Sequence, residues 1–495
     1  MIVERWRANP ILLLALVAMP IAYISLVHAQ FTGDDWHFLA VLRHIDSPLD
    51  VVTSNMGGSY YYRPAVLLLF WFSFVALGTD PMVHYGINVA IHCWVAFEIF
   101  AFARLISGRP NVSAWVAVLF LVLPATAATP LWISDRFDLV ATGAMLLSTR
   151  LLSMWLWSKT TRNGCLWGAA LVALIAFGSK ETAFALLPAQ LFLMARCRQR
   201  PAAARIRAAF VFALIGVFSL SCRYFALDGW TGKVSPPFSV AAIVAGVTLW
   251  VECLPIALQT YDGGVALVTL GVMVLGGLVL RRGAVQGDLA ASSTQIVAAL
   301  LLVAFGAVAA QSSVAAIILP KDHTAIATAT LRLYYTPLAF TFISVAVVVA
   351  RLEFAGLYRQ IANAAALLAV IVCTYGSARQ SLAWATASIT EAQQAAASVN
   401  GYAAEASVLK NDRLCAVRLP RSDLIGTDID LRFKATISSS DPRINCVLVT
   451  SPAQVSIVTR ISACNSANIL PLHSTIPDLP PLARSGTCTF HFLAD

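Results

Sequence analysis

Charged side chains are scarce in this chain. They make up 12% of the 495 residues, while hydrophobic residues make up 59% and the mean hydropathy is +0.75. A soluble chain carries roughly 25% charge. So few charges cannot cover a water-facing surface of this size, which excludes a soluble globular protein. Repeats are also missing. No period of 20–50 residues recurs in the C-terminal part, which excludes tetratricopeptide-type arrays. The cysteines have no metal-site spacing. Cys93, Cys165, Cys197, Cys222, Cys253 and Cys373 lie in or beside hydrophobic runs and read as small core residues. Cys415, Cys446, Cys464 and Cys488 fall in the polar tail, where their even number suggests disulfides in an exported domain.

What is abundant is apolar sequence in long runs. A helical crossing needs about 20 apolar residues. The candidates are 9–28, 82–103, 112–131, 139–158, 164–178, 181–195, 206–226, 263–280, 295–318, 336–350 and 360–377. The expectation is an all-α polytopic membrane bundle of about 11 transmembrane helices. The pair 164–178 and 181–195 is short for two crossings, and the apolar run 239–259 is left open. The first run also admits a cleaved signal peptide ending near Val27-His28-Ala29, although its length suits a retained helix.

The formal net charge of +9 reports orientation. With the N-terminus cytoplasmic, the cytoplasmic loops hold Arg5, Arg7, Arg104, Arg109, Lys159, Arg162, Arg196, Arg198, Arg200, Arg205, Arg207, Arg281, Arg282, Arg351 and Arg359. Only Glu4, Asp288 and Glu353 oppose them, and the opposite loops of the membrane part are net acidic. This is the Lys/Arg bias that orients membrane proteins, so the basic excess does not imply a nucleic-acid partner. Residues 1–377 form the membrane unit, with an external loop over 29–81. Residues 378–495 are expected to form a small α+β extracytoplasmic C-terminal domain, with a helix over 381–410 and strands near 445–450 and 455–462.

Each outer turn carries charge. The first has Asp34-Asp35 and later Tyr62-Arg63-Pro64. The second reads Trp132-Ile133-Ser134-Asp135-Arg136-Phe137-Asp138, the third Ser179-Lys180-Glu181, and the last Arg332-Leu333-Tyr334-Tyr335. Carboxylates and cations at a membrane face are costly unless solvated, paired or used. Asp34-Asp35 also reads as a solvated turn with an Asp cap. Inside the spans, Glu98 and Arg150 lie at matching depth and are expected to pair.

The ordered set resembles the GT-C superfamily of membrane glycosyltransferases, which use polyprenyl-phosphate sugars. It is similar to protein O-mannosyltransferases and lipid A aminoarabinose transferases. Asp34-Asp35 matches the acidic pair of the first external loop, and Arg63-Pro64 the Arg-Pro that follows it. Asn88 with His92 resembles an Asn and His pair on the second span. The 132–139 block, Ser179-Lys180-Glu181-Thr182-Ala183 and Arg332 to Pro337 complete the set.

The resemblance implies a sugar moved from a polyprenyl-phosphate donor to an envelope glycan, lipid or protein. The membrane is that of a bacterial cell, with the C-terminal domain periplasmic. Asp34 or Asp35 is the expected base, and Asp135 and Asp138 are second carboxylates. Lys180, Arg332, Arg63 and Arg136 are expected on the donor phosphate. His84, Asn88, His92, Glu181, Tyr334 and Tyr335 would line the substrate cavity. A divalent metal is compatible with the carboxylates, though the spacing does not demand one. Two other classes stay open at the level of sequence, a lipid-linked substrate flippase and a non-catalytic envelope assembly protein.

Overall fold

The computed structural model describes residues 10–32, 35, 38, 42, 47–53, 62–157, 163–227, 295–304, 306–307, 335–351, 356–408, 414–418, 470–471 and 489–493. The chain is mostly helical. Helix α1 is Pro10–Tyr23, continued by a tighter turn over Ile24–His28. There follow α2 (Pro48–Thr53), α3 (Pro64–Leu77), α4 (Pro81–Ser107), α5 (Pro110–Val122), α6 (Pro124–Ala127) and α7 (Arg136–Trp157). Then come α8 (Gly164–Phe177), α9 (Leu186–Arg196), α10 (Ala202–Leu227), α11 (Gln295–Ala304), α12 (Tyr335–Arg351) and α13 (Gly356–Val408).

Among the described residues, five helical segments are long and apolar enough to cross a membrane: Ile11–His28, Pro81–Ser107, Ile133–Trp157, Ala202–Leu227 and Leu357–Thr390. Their outward faces carry Leu16, Phe210, Val217, Phe225 and Leu368, all exposed. That is the surface of an integral membrane protein, since lipid contacts apolar side chains without penalty.

Several expected spans are shorter than the sequence suggests. The run 112–131 is broken at Leu123, where extended backbone precedes Pro124. The run 181–195 opens as a 3₁₀ turn over Glu181–Ala185 and leaves only 11 residues of α9. That is about 16 Å of helix, against a hydrocarbon core of about 30 Å. Conversely, the segment 29–81, expected as a loop, contains the 14-residue apolar helix α3. The run 263–280, the open segment 239–259 and the expected strands 445–450 and 455–462 lie outside the described residues. So do Cys446, Cys464 and Cys488, and with them the expected disulfides.

By contacts the chain divides into two compact units. The first holds 1–26, 59–66 and 85–382. Its core packs α1 and α12 on α5, and α8 and α9 on α7. Gly143 on α7 leaves room for the Trp94 ring of α4, because a Cβ there would stand 2.3 Å from that ring. Arg150 and Glu98 pair across the same two helices, as expected, with Nε–Oε2 2.8 Å and Nη2–Oε1 3.0 Å.

The second unit holds 27–58, 67–84 and 383–495. An aromatic stack of Phe38, Phe70 and Phe74 forms part of it, with centroids 5.6 and 6.1 Å apart. The Gln30 amide donates to Ser388 Oγ at 2.9 Å. Strands β1 (Leu414–Arg418), β2 (Leu470–Pro471) and β3 (Thr489–Leu493) make a parallel sheet in the order β1-β3-β2. Helix α13 contributes residues 383–408 to this unit.

Candidate active site

The site is built where short segments interrupt the apolar helices of the first unit. Helix α8 ends at Gly178, and Lys180 takes an extended backbone before the 3₁₀ turn that starts at Glu181. The break points two adjacent ionic side chains to different partners. Lys180 Nζ meets Asp138 Oδ2 at 2.5 Å. Asp138 sits in the first turn of α7, where the helix dipole also favours a carboxylate.

Glu181 receives two guanidinium groups. Arg63 donates through Nε at 3.1 Å and Nη2 at 2.7 Å to Oε2, and Arg223 Nη1 donates to Oε1 at 2.7 Å. Burial alone would raise the Glu181 carboxyl, but Arg63 and Arg223 carry it down to about 2. Two cations on one carboxylate leave one net positive charge. Arg63 also lies 4.9 Å above the Phe137 ring. Its place is set by Pro64, which needs no N–H partner at the first position of α3. The next amide, Ala65, donates to Gly178 O at 3.0 Å. A free N–H at a helix start thus docks Arg63 beside Glu181.

Asn88 fixes the 132–138 block. Its Nδ2 donates to Trp132 O at 2.9 Å and Ile133 O at 3.3 Å, and its Oδ1 accepts from Arg136 Nε at 2.8 Å. Arg136 is fully buried, and Asp135 is buried in the 3₁₀ turn just ahead of α7. His92 Nε2 lies 3.0 Å from Leu121 O and Nδ1 2.7 Å from Tyr335 Oη. The carbonyl can only accept, so Nε2 bears the proton, and in a neutral ring Nδ1 accepts from the Tyr335 hydroxyl. Thr142 and Thr336 hydroxyls bond at 2.6 Å and tie α7 to α12.

The structure therefore brings together Arg63 with Glu181, Lys180 with Asp138, Asn88 with Arg136, and His92 with Tyr335. Arg223 was missed by the sequence reading. Its signal was a cation near the end of the apolar run 206–226.

Asp35 and His84 belong to the second unit. The Asp35 carboxylate accepts from the Thr32 amide at 3.2 Å, and the Asp35 amide donates to Thr32 O at 3.0 Å, a reciprocal capping arrangement. His84 Nε2 bonds Gly78 O at 2.8 Å, just past the end of α3. Asp34, Arg332 and Tyr334 lie outside the described residues. Among the described residues no three His, Cys, Asp or Glu side chains gather to hold a metal ion.

No family model and no curated protein matches the sequence. Among solved structures, ArnT from Cupriavidus metallidurans in the apo state aligns at a TM-score of 0.51 and 12% identity. The match covers 91% of this chain and 87% of ArnT. This chain has the GT-C fold. ArnT from the same organism bound to undecaprenyl phosphate also aligns, at a TM-score of 0.42 and 14% identity, over 90% of each chain. Archaeal oligosaccharyltransferase AglB from Archaeoglobus fulgidus, in complex with an inhibitory peptide and a dolichol-phosphate, aligns at 0.43 and 12% identity, over 75% of this chain and 55% of AglB. The fold assignment rests on the first match. Within the GT-C fold, the ion pairs above sit in this chain beside breaks between helices.

Proposed function

We propose that this chain is a membrane glycosyltransferase that moves a sugar from a polyprenyl-phosphate donor to an extracytoplasmic acceptor. The observation that carries the reading is the cation-rich cluster of Arg63, Arg223, Lys180 and Arg136 at the helix breaks of a GT-C fold. The donor phosphate carries one negative charge while it is esterified to the sugar. A second develops as the glycosidic bond breaks. Cations placed there therefore stabilise the transition state more than the bound donor, which is the condition for rate enhancement. Lys180, Arg63, Arg136 and Arg332 are assigned to that phosphate. Because the leaving group is already a stable anion, no acid is needed to expel it.

A carboxylate removes the acceptor proton, and the acceptor oxygen attacks the anomeric carbon in one inverting displacement. Asp34 is assigned as this base, with Asp35 as the alternative. Asp135 and Asp138 are second carboxylates, and Asn88, His92, Glu181 and Tyr335 shape the cavity, with His84 and Tyr334 as further lining. The N-terminus is cytoplasmic, and the C-terminal domain lies outside the inner membrane of a bacterium.

The test is transfer from a radiolabelled polyprenyl-phosphate sugar by the purified chain, with the acceptor class first found by mass analysis of envelope glycans, lipids and proteins in cells with and without it. Asp34→Asn or Asp35→Asn should lower the rate by about two to four orders of magnitude. Near wild-type rates in both variants would remove the base assignment, and an unchanged envelope would remove the transferase reading.

A further inference from the structure

The end of α9, the turn after it and the start of α10 hold five arginines, Arg196, Arg198, Arg200, Arg205 and Arg207, and no Asp or Glu occurs from 182 to 227. The five divide into two sets. Arg200 and Arg205 close helix ends. Arg200 Nε donates to Trp155 O at 2.8 Å, with its guanidinium 5.2 Å from the Trp155 ring. Arg205 Nη1 donates to Met194 O at 3.0 Å and Ala195 O at 2.9 Å. These carbonyls lie in the last turns of α7 and α9, so Arg200 and Arg205 are committed to helix C-termini.

Arg196, Arg198 and Arg207 are instead exposed. Arg196 lies 5.8 Å from the Phe192 ring and Arg207 Nε 3.4 Å from Ala203 O, each a contact within its own helix. Arg207 shares the outward side of α10 with Ile206, Phe210, Leu214, Val217 and Phe218, all of them exposed. Phe210 to Phe218 spans about 12 Å of helix, close to the depth of one acyl leaflet. Arg207 thus lies at the end of an apolar stripe of leaflet length, and Arg196 and Arg198 lie in the chain that leads into this helix.

We propose that this turn is a binding site for an anionic phospholipid. Its headgroup phosphate lies on Arg196, Arg198 and Arg207, and its chains run along the Phe210–Phe218 stripe. Three exposed guanidinium groups offer bidentate donors to phosphate oxygens, and clustered Arg beside a membrane helix attracts anionic headgroups. The site is separate from the Lys180 and Glu181 cluster and does not depend on the transferase reading.

The test places the full chain in vesicles of phosphatidylcholine mixed with phosphatidylglycerol, extracts it in mild detergent and counts retained lipid by native mass spectrometry. Phosphatidylglycerol should be enriched over phosphatidylcholine. The triple exchange Arg196→Gln, Arg198→Gln and Arg207→Gln should lower that enrichment roughly tenfold or more, while the triple exchange to Lys keeps most of it. Equal retention of both lipids by the wild type, or unchanged enrichment in the Gln variant, overturns the site. Should the triple Gln variant fail to insert, the three single exchanges carry the test. Full enrichment in all three then overturns it.

Discussion

Glu181 and Lys180 are neighbours in the chain, yet each is committed to a different partner, and this makes their roles separable. Lys180→Met leaves the Asp138 carboxylate buried without its ammonium. Breaking one side of such a pair costs about 3–5 kcal/mol. The double exchange Lys180→Met with Asp138→Leu should recover most of the thermal stability and none of the transfer activity. Recovery of both would show that the pair is structural only. The Glu181 carboxyl titrates near 2, below its ordinary value of about 4.5. A lowered carboxyl adds stability above the unfolded value and loses it as pH falls through the folded one. The melting temperature of the wild type should therefore fall between pH 4.5 and 2. Glu181→Gln should melt lower than the wild type at pH 7, with the gap closing on acidification. A gap that is independent of pH would sink this account. Asp138, Lys180, Arg63 and Glu181 were all legible as charges at outer turns. Their pairing was not, because 42 residues separate Lys180 from Asp138 and 118 separate Arg63 from Glu181.

At the level of elements, the contact of α4 with α7 positions much of the site, since the first carries Asn88 and His92 and the second Arg136 and Asp138. Gly143 is where the Trp94 ring of α4 seats on α7. Gly143→Ala would drive a methyl into the Trp94 ring, and overpacking of this kind costs about 1–3 kcal/mol. Lower thermal stability is expected, together with weaker transfer activity. Trp94→Phe in the same chain should relieve part of both losses, and no relief would mean that the crossing is not the cause. The Glu98–Arg150 pair lies on the same helices. Glu98→Gln alone should impair folding in detergent, whereas Glu98→Gln with Arg150→Met should recover part of it. This pair was readable from sequence because helix rise alone sets depth, at 1.5 Å per residue. The run 181–195 already reads as short for a crossing, but its 3₁₀ opening and the break at Leu123 were not readable, since a hydropathy window cannot distinguish a continuous helix from two short ones joined by an apolar turn.

Across the whole molecule, Lys and Arg asymmetry leads to one orientation. In a variant without other reactive cysteines, Thr79→Cys should react with an impermeant maleimide from outside intact cells. Gln199→Cys should react only after permeabilisation. The opposite pattern would reverse the membrane assignment and, with it, the side on which the proposed transfer occurs. Both positions are exposed, so access to reagent depends on the membrane alone.

Sequence by itself determined the class of molecule, because 12% charge and long apolar runs leave lipid as the only solvent for most of the surface. It also determined which turns bear ions, since a charge interrupting an apolar run is visible at its own position. Tertiary structure alone decided who meets whom. Arg223 joined the site because its guanidinium, near the end of α10, reaches the Glu181 carboxylate that also receives Arg63. His92 met Tyr335, 243 residues away, while the Leu121 carbonyl fixed its tautomer. Such pairings depend on helix packing and on the direction of each side chain, and a single charge in a sequence carries neither.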